Sequence, residues 1–268
     1  MYHTITVASA SNSYARLAEA WALKLAALLG ARLRAVVAWD QSEVEKARSS
    51  DKSLDPERLT EQITRDVVDS ARAAGIEAES VFRGEGTLRG ILAEAQETDL
   101  LVIGMPTEGQ AGSDSVARAI LDADLPILRR AECSVLVAAR PPEDIRSVLV
   151  SYQGGHEGKT ALRAAGTIAE ASGAAATVVS GHGDRAQAEI MTGRALRYLE
   201  GFDLPRARGI AFSGQPEEEQ RLLQAADETR SNLIVLGHEP YGVIHRLFAD
   251  DAAEAIALST NIPVLVAR

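Results

Sequence analysis

Only one cysteine, Cys133, stands in this 268-residue chain. That excludes an intrachain disulfide framework and a cysteine-rich zinc module. Aromatic side chains are scarce, with two Trp, five Tyr and four Phe, so the core must be filled by Ala, Val, Leu and Ile. No apolar run approaches the roughly 18 residues of a membrane span. The opening residues, Met1 to Ser11, lack a basic segment and read as a strand, not a signal peptide. Positive charge is in deficit: 28 Lys and Arg face 38 Asp and Glu, a formal charge of −10. Such a balance disfavours adhesion to nucleic acid or anionic lipid. No GxSxG elbow marks a serine hydrolase. What is present is an apolar content of 46%, too high for disorder. The expectation is a soluble, cytoplasmic α/β protein with neither nucleic-acid nor membrane partners. At roughly 150 residues per domain, its length suits two ordinary domains or one large one.

The chain repeats itself. Asp99-Leu100-Leu101-Val102-Ile103-Gly104 returns 133 positions later as Asn232-Leu233-Ile234-Val235-Leu236-Gly237. Val135-Leu136-Val137-Ala138 returns 129 positions later as Val264-Leu265-Val266-Ala267, and Ile5-Thr6-Val7-Ala8 matches Val148-Leu149-Val150-Ser151 at 143. A period this long means a duplicated domain rather than a solenoid. The falling offsets make the second copy shorter. The seam is Arg140-Pro141-Pro142-Glu143-Asp144, where two prolines favour an extended spacer. The expected domains are 1–140 and 145–268, with a linker at 141–144.

Within each copy, short apolar runs alternate with amphipathic stretches, as in a parallel sheet wrapped in helices. The runs predict strands at 3–9, 33–39, 77–82, 100–103 and 134–138, then at 147–152, 175–180, 208–212, 233–236 and 263–267. Helices are expected at 13–29, 56–74, 87–97 and 122–130, then at 158–172, 185–200, 216–229 and 250–259. The first helix carries Leu17, Ala20, Trp21, Lys24, Leu25 and Leu28 at helical spacing, with Gly30 as its stop. The strands do not alternate, which suits strands covered on both faces. A polar stretch at 41–55 reads as a surface excursion.

Two copies of a βαβαβαβαβ unit, each with a hydrophobic-Gly loop and a terminal V-L-V strand, resemble the universal stress protein family. The segments Leu100–Ala138 and Leu233–Ala267 carry the likeness. It implies two tandem doubly wound α/β domains, each an open five-stranded parallel sheet of order 3-2-1-4-5 with helices on both faces. It also implies a ligand crevice where strands 1 and 4 diverge. Self-association through the fifth strands, Val135–Val137 and Val264–Val266, is a further implication, and an unpaired apolar edge does invite pairing.

The resemblance also sets a test. Members of the family that bind ATP are expected to have an Asp at the end of strand 1 and the loop G-x₂-G-x₉-G-[ST], whose backbone amides meet phosphates at a helix N-terminus. In the first copy, Ala10 holds the Asp position. Gly104 opens the loop, Thr107 replaces its second glycine, four extra residues follow, and Leu121-Asp122 aligns with the final pair. In the second copy, Gln153 replaces the Asp and the loop reads Gly237-x₂-Pro240-x₉-Asp250-Asp251. Two like charges about 4 Å apart repel by roughly 4 kcal/mol at an effective dielectric near 20, so a carboxylate there opposes a triphosphate. Asp122 or Asp124, with Pro126, and Asp250-Asp251 suit helix N-caps instead.

Other constellations lie in the second copy. Gln153-Gly154-Gly155-His156-Glu157-Gly158-Lys159-Thr160 imitates a P-loop, but is one residue short of G-x₄-G-K-[ST]. His156, His182 and His238 follow the ends of strands 1, 2 and 4. They read as solvent-facing loop residues, as a metal site with Asp184, or as phosphate or sugar contacts helped by Lys159 and Arg246. The candidate crevice of the second domain is therefore Gln153, Gly154, His156, Lys159, His182, Gly237, His238, Gly242 and Arg246. That of the first is Ala10, Gly104 and Thr107. Cys133 reads as an inert buried thiol, and Arg129, Arg130, Arg206 and Arg208 as solvated charges. No catalytic residue, metal or cofactor is assigned, and ATP or another nucleotide is the ligand class to test. The leading expectation is a non-enzymatic stress-response module with degenerate nucleotide loops. A nucleotide sensor using the second domain comes next, and a weak ATPase using residues 153–160 third.

Overall fold

A computed structural model describes residues 2–38, 55–107, 124–213, 218–238 and 252–268. The chain divides into two compact units, Tyr2–Pro142 and Glu143–Arg268. In the first, β1 (Thr4–Ala8), β2 (Arg32–Ala38), β3 (Ala78–Arg83), β4 (Leu100–Gly104) and β5 (Ser134–Ala138) are parallel, in the order β3-β2-β1-β4-β5. Three helices connect them, α1 (Ser13–Leu29), α2 (Pro56–Ala73) and α3 (Thr87–Ala95), and residues 124–130 are also helical. The chain steps one way from β1 to β3 and the other way from β3 to β5. Right-handed crossovers therefore put α1 and α2 on one face of the sheet and the later helices on the other. Consistent with this, α1 touches α2, while α3 packs on β2. This is the doubly wound α/β class expected from the sequence.

The second unit repeats the plan with β6 (Ser147–Ser151), β7 (Ala175–His182), β8 (Ala207–Ser213), β9 (Leu233–Gly237) and β10 (Val264–Ala267), in the order β10-β9-β6-β7-β8. Its helices are α4 (Gly155–Ser172), α5 (Arg185–Leu199), α6 (Glu218–Thr229) and α7 (Ala252–Ser259). Strand register follows the sequence repeat. Ile5 pairs with Leu100, and Val148 with Leu233. The polar residue heading each fourth strand has one job in both units. Asp99 Oδ2 accepts from the amides of His3 and Thr4 at 2.7 and 2.9 Å, and Asn232 Oδ1 from those of Arg146 and Ser147 at 3.1 and 3.2 Å. Each locks the starts of the two central strands together.

The core is aliphatic, as the scarcity of aromatics requires. Leu100–Gly104 and Ser134–Ala138 are buried throughout. Trp21 is the large exception, fully buried, with its indole Nε1 donating to the Arg140 carbonyl at 2.8 Å. Helix α1 presents Ala15, Ala18, Glu19, Trp21, Ala22, Leu25 and Ala26 to the interior. Of the stripe expected from spacing, only Trp21 and Leu25 are fully buried, and Leu17, Ala20, Lys24 and Leu28 are half-buried. Small alanines lie innermost because the helix sits close on the sheet. One ionic cluster is also interior. Glu94 of α3, 0% exposed, is gripped by Arg34 of β2 at 2.9 Å and by Arg83 of β3, whose Nε donates at 2.5 Å.

One boundary differs with consequence. The helix expected from 158 begins at Gly155. Gly154 and Gly155 have φ of 91° and 71°, so they complete the turn themselves and leave no longer loop. The excursion at 41–54, the capping candidates Asp122, Asp250 and Asp251, and Pro240, Gly242 and Arg246 lie outside the described residues. Among the described residues, no helix is long and apolar enough to cross a membrane.

Candidate functional site

In an open parallel sheet, the ligand crevice lies beyond the strand C-termini, where the strand order reverses. Here that is between β1 and β4 in the first unit and between β6 and β9 in the second.

In the first unit, β1 runs out through Ser9 and Ala10 to Asn12, the N-cap of α1. The Asn12 side chain accepts from the Ala15 amide at 2.8 Å, so the chain satisfies part of its own helix N-terminus. Ala10 offers no polar side chain to a ribose. Gly104 ends β4 under the first turn of α1, and a Cβ on it would overlap the Tyr14 carbonyl group. The next residues tuck inward: the Met105 amide donates to the Ala138 carbonyl at 3.2 Å, and Met105 and Thr107 are buried.

The second unit reproduces this scaffold. A Cβ on Gly237 would stand 2.6 Å from the Glu157 carbonyl oxygen and 2.8 Å from its carbon. Glu157 lies 143 positions after Tyr14, the offset that relates β6 to β1. The His238 amide donates to the Ala267 carbonyl at 3.0 Å, as Met105 does to Ala138. The one loop glycine retained in each copy therefore admits a helix backbone. No phosphate is needed to explain it.

Around this scaffold the second unit departs from the first. The N-cap of α4 is Gly154, which makes no side-chain cap. Glu157 sits in the first turn, where a carboxylate is favoured by the helix dipole, with its Oε2 3.0 Å from the position of a Cβ on Gly155. The P-loop likeness is corrected by the structure. Gly158 is already helical, and a Cβ on it would stand 2.9 Å from the Tyr152 ring. Lys159 is exposed on the helix, and the Thr160 hydroxyl donates to the His156 carbonyl at 3.1 Å. A phosphate-wrapping loop is absent from 155–160 because those residues are spent on helix.

The histidines are placed separately. His156 is exposed on α4. His182 ends β7, and its Nδ1 accepts from the Asp184 amide at 3.0 Å. Asp184 is occupied as the N-cap of α5, accepting from the Ala186 amide at 2.9 Å. His238 is half-buried, with Nδ1 3.4 Å from the Arg268 guanidinium. Among the described residues, no three His, Cys, Asp or Glu side chains are gathered to hold a metal. Gln153 is half-buried beside Gly154 at the end of the β6 exit, and the Cys133 thiol is buried.

Two acids carry raised pKa values. Burial pushes the Asp124 carboxyl up to about 7. Asp124 belongs to the helical stretch 124–130. Glu19 is raised by burial, against the opposing pull of the Ser9 hydroxyl and Arg16. Sequence reasoning passed over Glu19. Its signal was a charged residue at helical spacing among Ala15, Ala22 and Ala26.

Comparison with known proteins agrees with this architecture. The family model described as universal stress protein family matches residues 1–139. A curated relative from Thermus aquaticus, the universal stress protein in the QAH/OAS sulfhydrylase 3′ region, is 27% identical over 135 residues, covering 46% of this chain and 98% of its own. Among solved structures, a universal stress protein from Archaeoglobus fulgidus superposes with a TM-score of 0.73 at 16% identity, over 99% of this chain and 96% of that one. A functionally unknown protein from Pseudomonas aeruginosa PAO1 gives 0.64 at 19% identity, over 99% and 92%. At such identities the two structures speak for the fold, while the family model spans just over half of the sequence: the chain belongs to the universal stress protein family.

Proposed function

We propose that the chain is a tandem universal stress protein, with domains at 1–140 and 145–268, acting as a non-enzymatic stress-response module. In this reading its two crevices have lost the standard nucleotide cradle. The observation that carries the proposal is the fit of Gly104 and Gly237 under the first turns of α1 and α4. Helix packing accounts for the glycine each loop retains, and Ala10, Thr107 and Gln153 replace groups that would hold a nucleotide. Action through contacts with other chains follows, and those contacts include self-association. The strand proposed to mediate it is the apolar fifth strand of each unit, β5 or β10.

Melting the purified chain with and without Mg-ATP tests the proposal. Ligand at about 100 times its dissociation constant would add about 2.7 kcal/mol. An unmoved transition supports the proposal, and a raised one refutes it. One feature favours a second reading, a nucleotide sensor using the second unit: the α4 N-terminus lacks a side-chain cap at Gly154, which leaves amides open to an anion. A transition raised by ATP in the full chain, and restored to its original position by Gly154→Asp, would identify that site.

A further inference from the structure

The duplication supplies an internal control for the outer surface of α5. Its counterpart in the first unit is α2, which joins the matching pair of strands. Thr60, Thr64, Val67 and Ala71 of α2 are buried, and so, 128 positions on, are Ala188, Thr192, Ala195 and Leu199 of α5. The match extends to detail. Thr64 Oγ1 donates to the Thr60 carbonyl at 2.9 Å, and Thr192 Oγ1 to the Ala188 carbonyl at 2.8 Å. Both inner faces therefore meet the same demand of the fold.

The outer faces have opposite character. Gln62, Asp66, Asp69 and Ser70 of α2 are exposed, and the matching residues of α5, also exposed, are Ile190, Arg194, Arg197 and Tyr198. Spacings of four, seven and eight put the second set on one side of the helix. Ile190 is 46% exposed and Tyr198 41%, and among the described residues these are the exposed large apolar side chains. The Tyr198 ring contacts that of Phe202, with centroids 6.1 Å apart, which lengthens the apolar strip. Among the described residues the one ion pair of α5 joins Arg185 to Glu189, so no carboxylate answers Arg194 or Arg197. The fold asks for none of this, because α2 fills the equivalent place without it.

We propose that the outer face of α5 docks another protein through an acidic segment that carries apolar side chains. Single apolar residues scattered on a surface need no explanation, but here they share one face with two arginines. Tyr and Arg are the types that most often anchor interfaces. Charge and cover select the occupant. A second α5 would set Arg194 and Arg197 against their own kind. The α2 helix of a second copy offers Asp66 and Asp69 but no exposed large apolar side chain. Nucleic acid would answer the arginines, yet the formal charge of −10 opposes it and Ile190 would gain no apolar cover. The inference does not depend on whether either crevice holds a nucleotide.

A random dodecapeptide library displayed on phage, panned on the immobilised full chain, tests the proposal. The control target is the same chain with the outer residues of α2 placed on α5: Ile190→Gln, Arg194→Asp, Arg197→Asp and Tyr198→Ser. All four positions are exposed, so the control should fold and melt like the wild type. Should it melt early, Arg194→Asp/Arg197→Asp and Ile190→Gln/Tyr198→Ser serve as separate targets. Panning on the wild type should enrich peptides that combine Asp or Glu with Leu, Phe or Trp. The best of them, made synthetically, should lose about tenfold or more in affinity against each double variant. Equal enrichment on the control, no enrichment, or winning peptides without acids would each overturn the proposal. So would self-association of the wild type, seen by sedimentation and lost in the control. A labelled single-stranded oligonucleotide held by the wild type and released by Arg194→Asp/Arg197→Asp would overturn it in favour of nucleic acid.

Discussion

Gly237 lies beneath Glu157: a Cβ on the glycine would stand 2.6 Å from the Glu157 carbonyl oxygen, and Gly104 stands in the same relation to Tyr14. A helix N-terminus can approach a strand end this closely only over a residue without a side chain. This contact explains why a single glycine of each loop remains while its neighbours have changed. It makes the residue structural, and a structural residue is retained whether or not a ligand binds.

Gly104→Ala and Gly237→Ala should therefore destabilise the chain by about 1–3 kcal/mol or more, the usual cost of overpacking. Gly104→Ala should be the worse, because its Cβ would overlap the Tyr14 carbonyl outright. Urea unfolding measures both. A neutral result at either position would show that the helix can move away freely.

Glu94 offers a second stability test. Glu94→Ala takes a buried carboxylate from Arg34, which keeps Glu79 at 2.8 Å, and from the half-buried Arg83, and losing charge-assisted hydrogen bonds of this kind costs about 1.5–3 kcal/mol. Glu189→Ala removes only an exposed pair with Arg185 on α5, and should cost less than about 0.5 kcal/mol. Unfolding curves for the two variants should separate clearly.

The sequence carried the fold well. Eight strand runs were legible because buried strands leave apolar stretches, β3 and β8 being only partly buried, and Asp99 and Asn232 marked the same junction in each copy. The start of α4 was hidden. Gly154, Gly155 and Gly158 look like one flexible loop, yet two of them make the turn and the third lies against Tyr152 inside the helix. Glu19 was missed for a different reason. Its burial depends on Ser9 and Arg16, and spacing alone cannot reveal such tertiary partners. The side-chain direction of Glu157 was equally beyond periodicity.

Lys159 sits where a P-loop lysine would be but is exposed on α4. Lys159→Ala should leave both the melting temperature and any background phosphate release unchanged. A phosphate-release rate that falls in this variant would revive the ATPase reading.

Asp124 makes stability depend on pH. Its folded pKa of about 7 lies above the roughly 3.9 of a free Asp, so between those values the folded chain holds a proton that the unfolded chain releases. The stabilisation is full below about pH 4 and is lost as pH rises through 7. Glu19, also raised by burial, acts in the same direction. Asp124→Asn should gain on the wild type in melting temperature steadily from pH 5 to pH 8. A margin that stays constant across that range would contradict the assignment.

Titration of the full chain with Mg-ATP in a calorimeter, at near-physiological salt and millimolar nucleotide, reaches the central claim most directly. Degenerate crevices predict heats no larger than dilution at every injection. A saturable isotherm with one or two nucleotides per chain would mean that the amides at these helix ends still hold a polyanion, and would contradict the account.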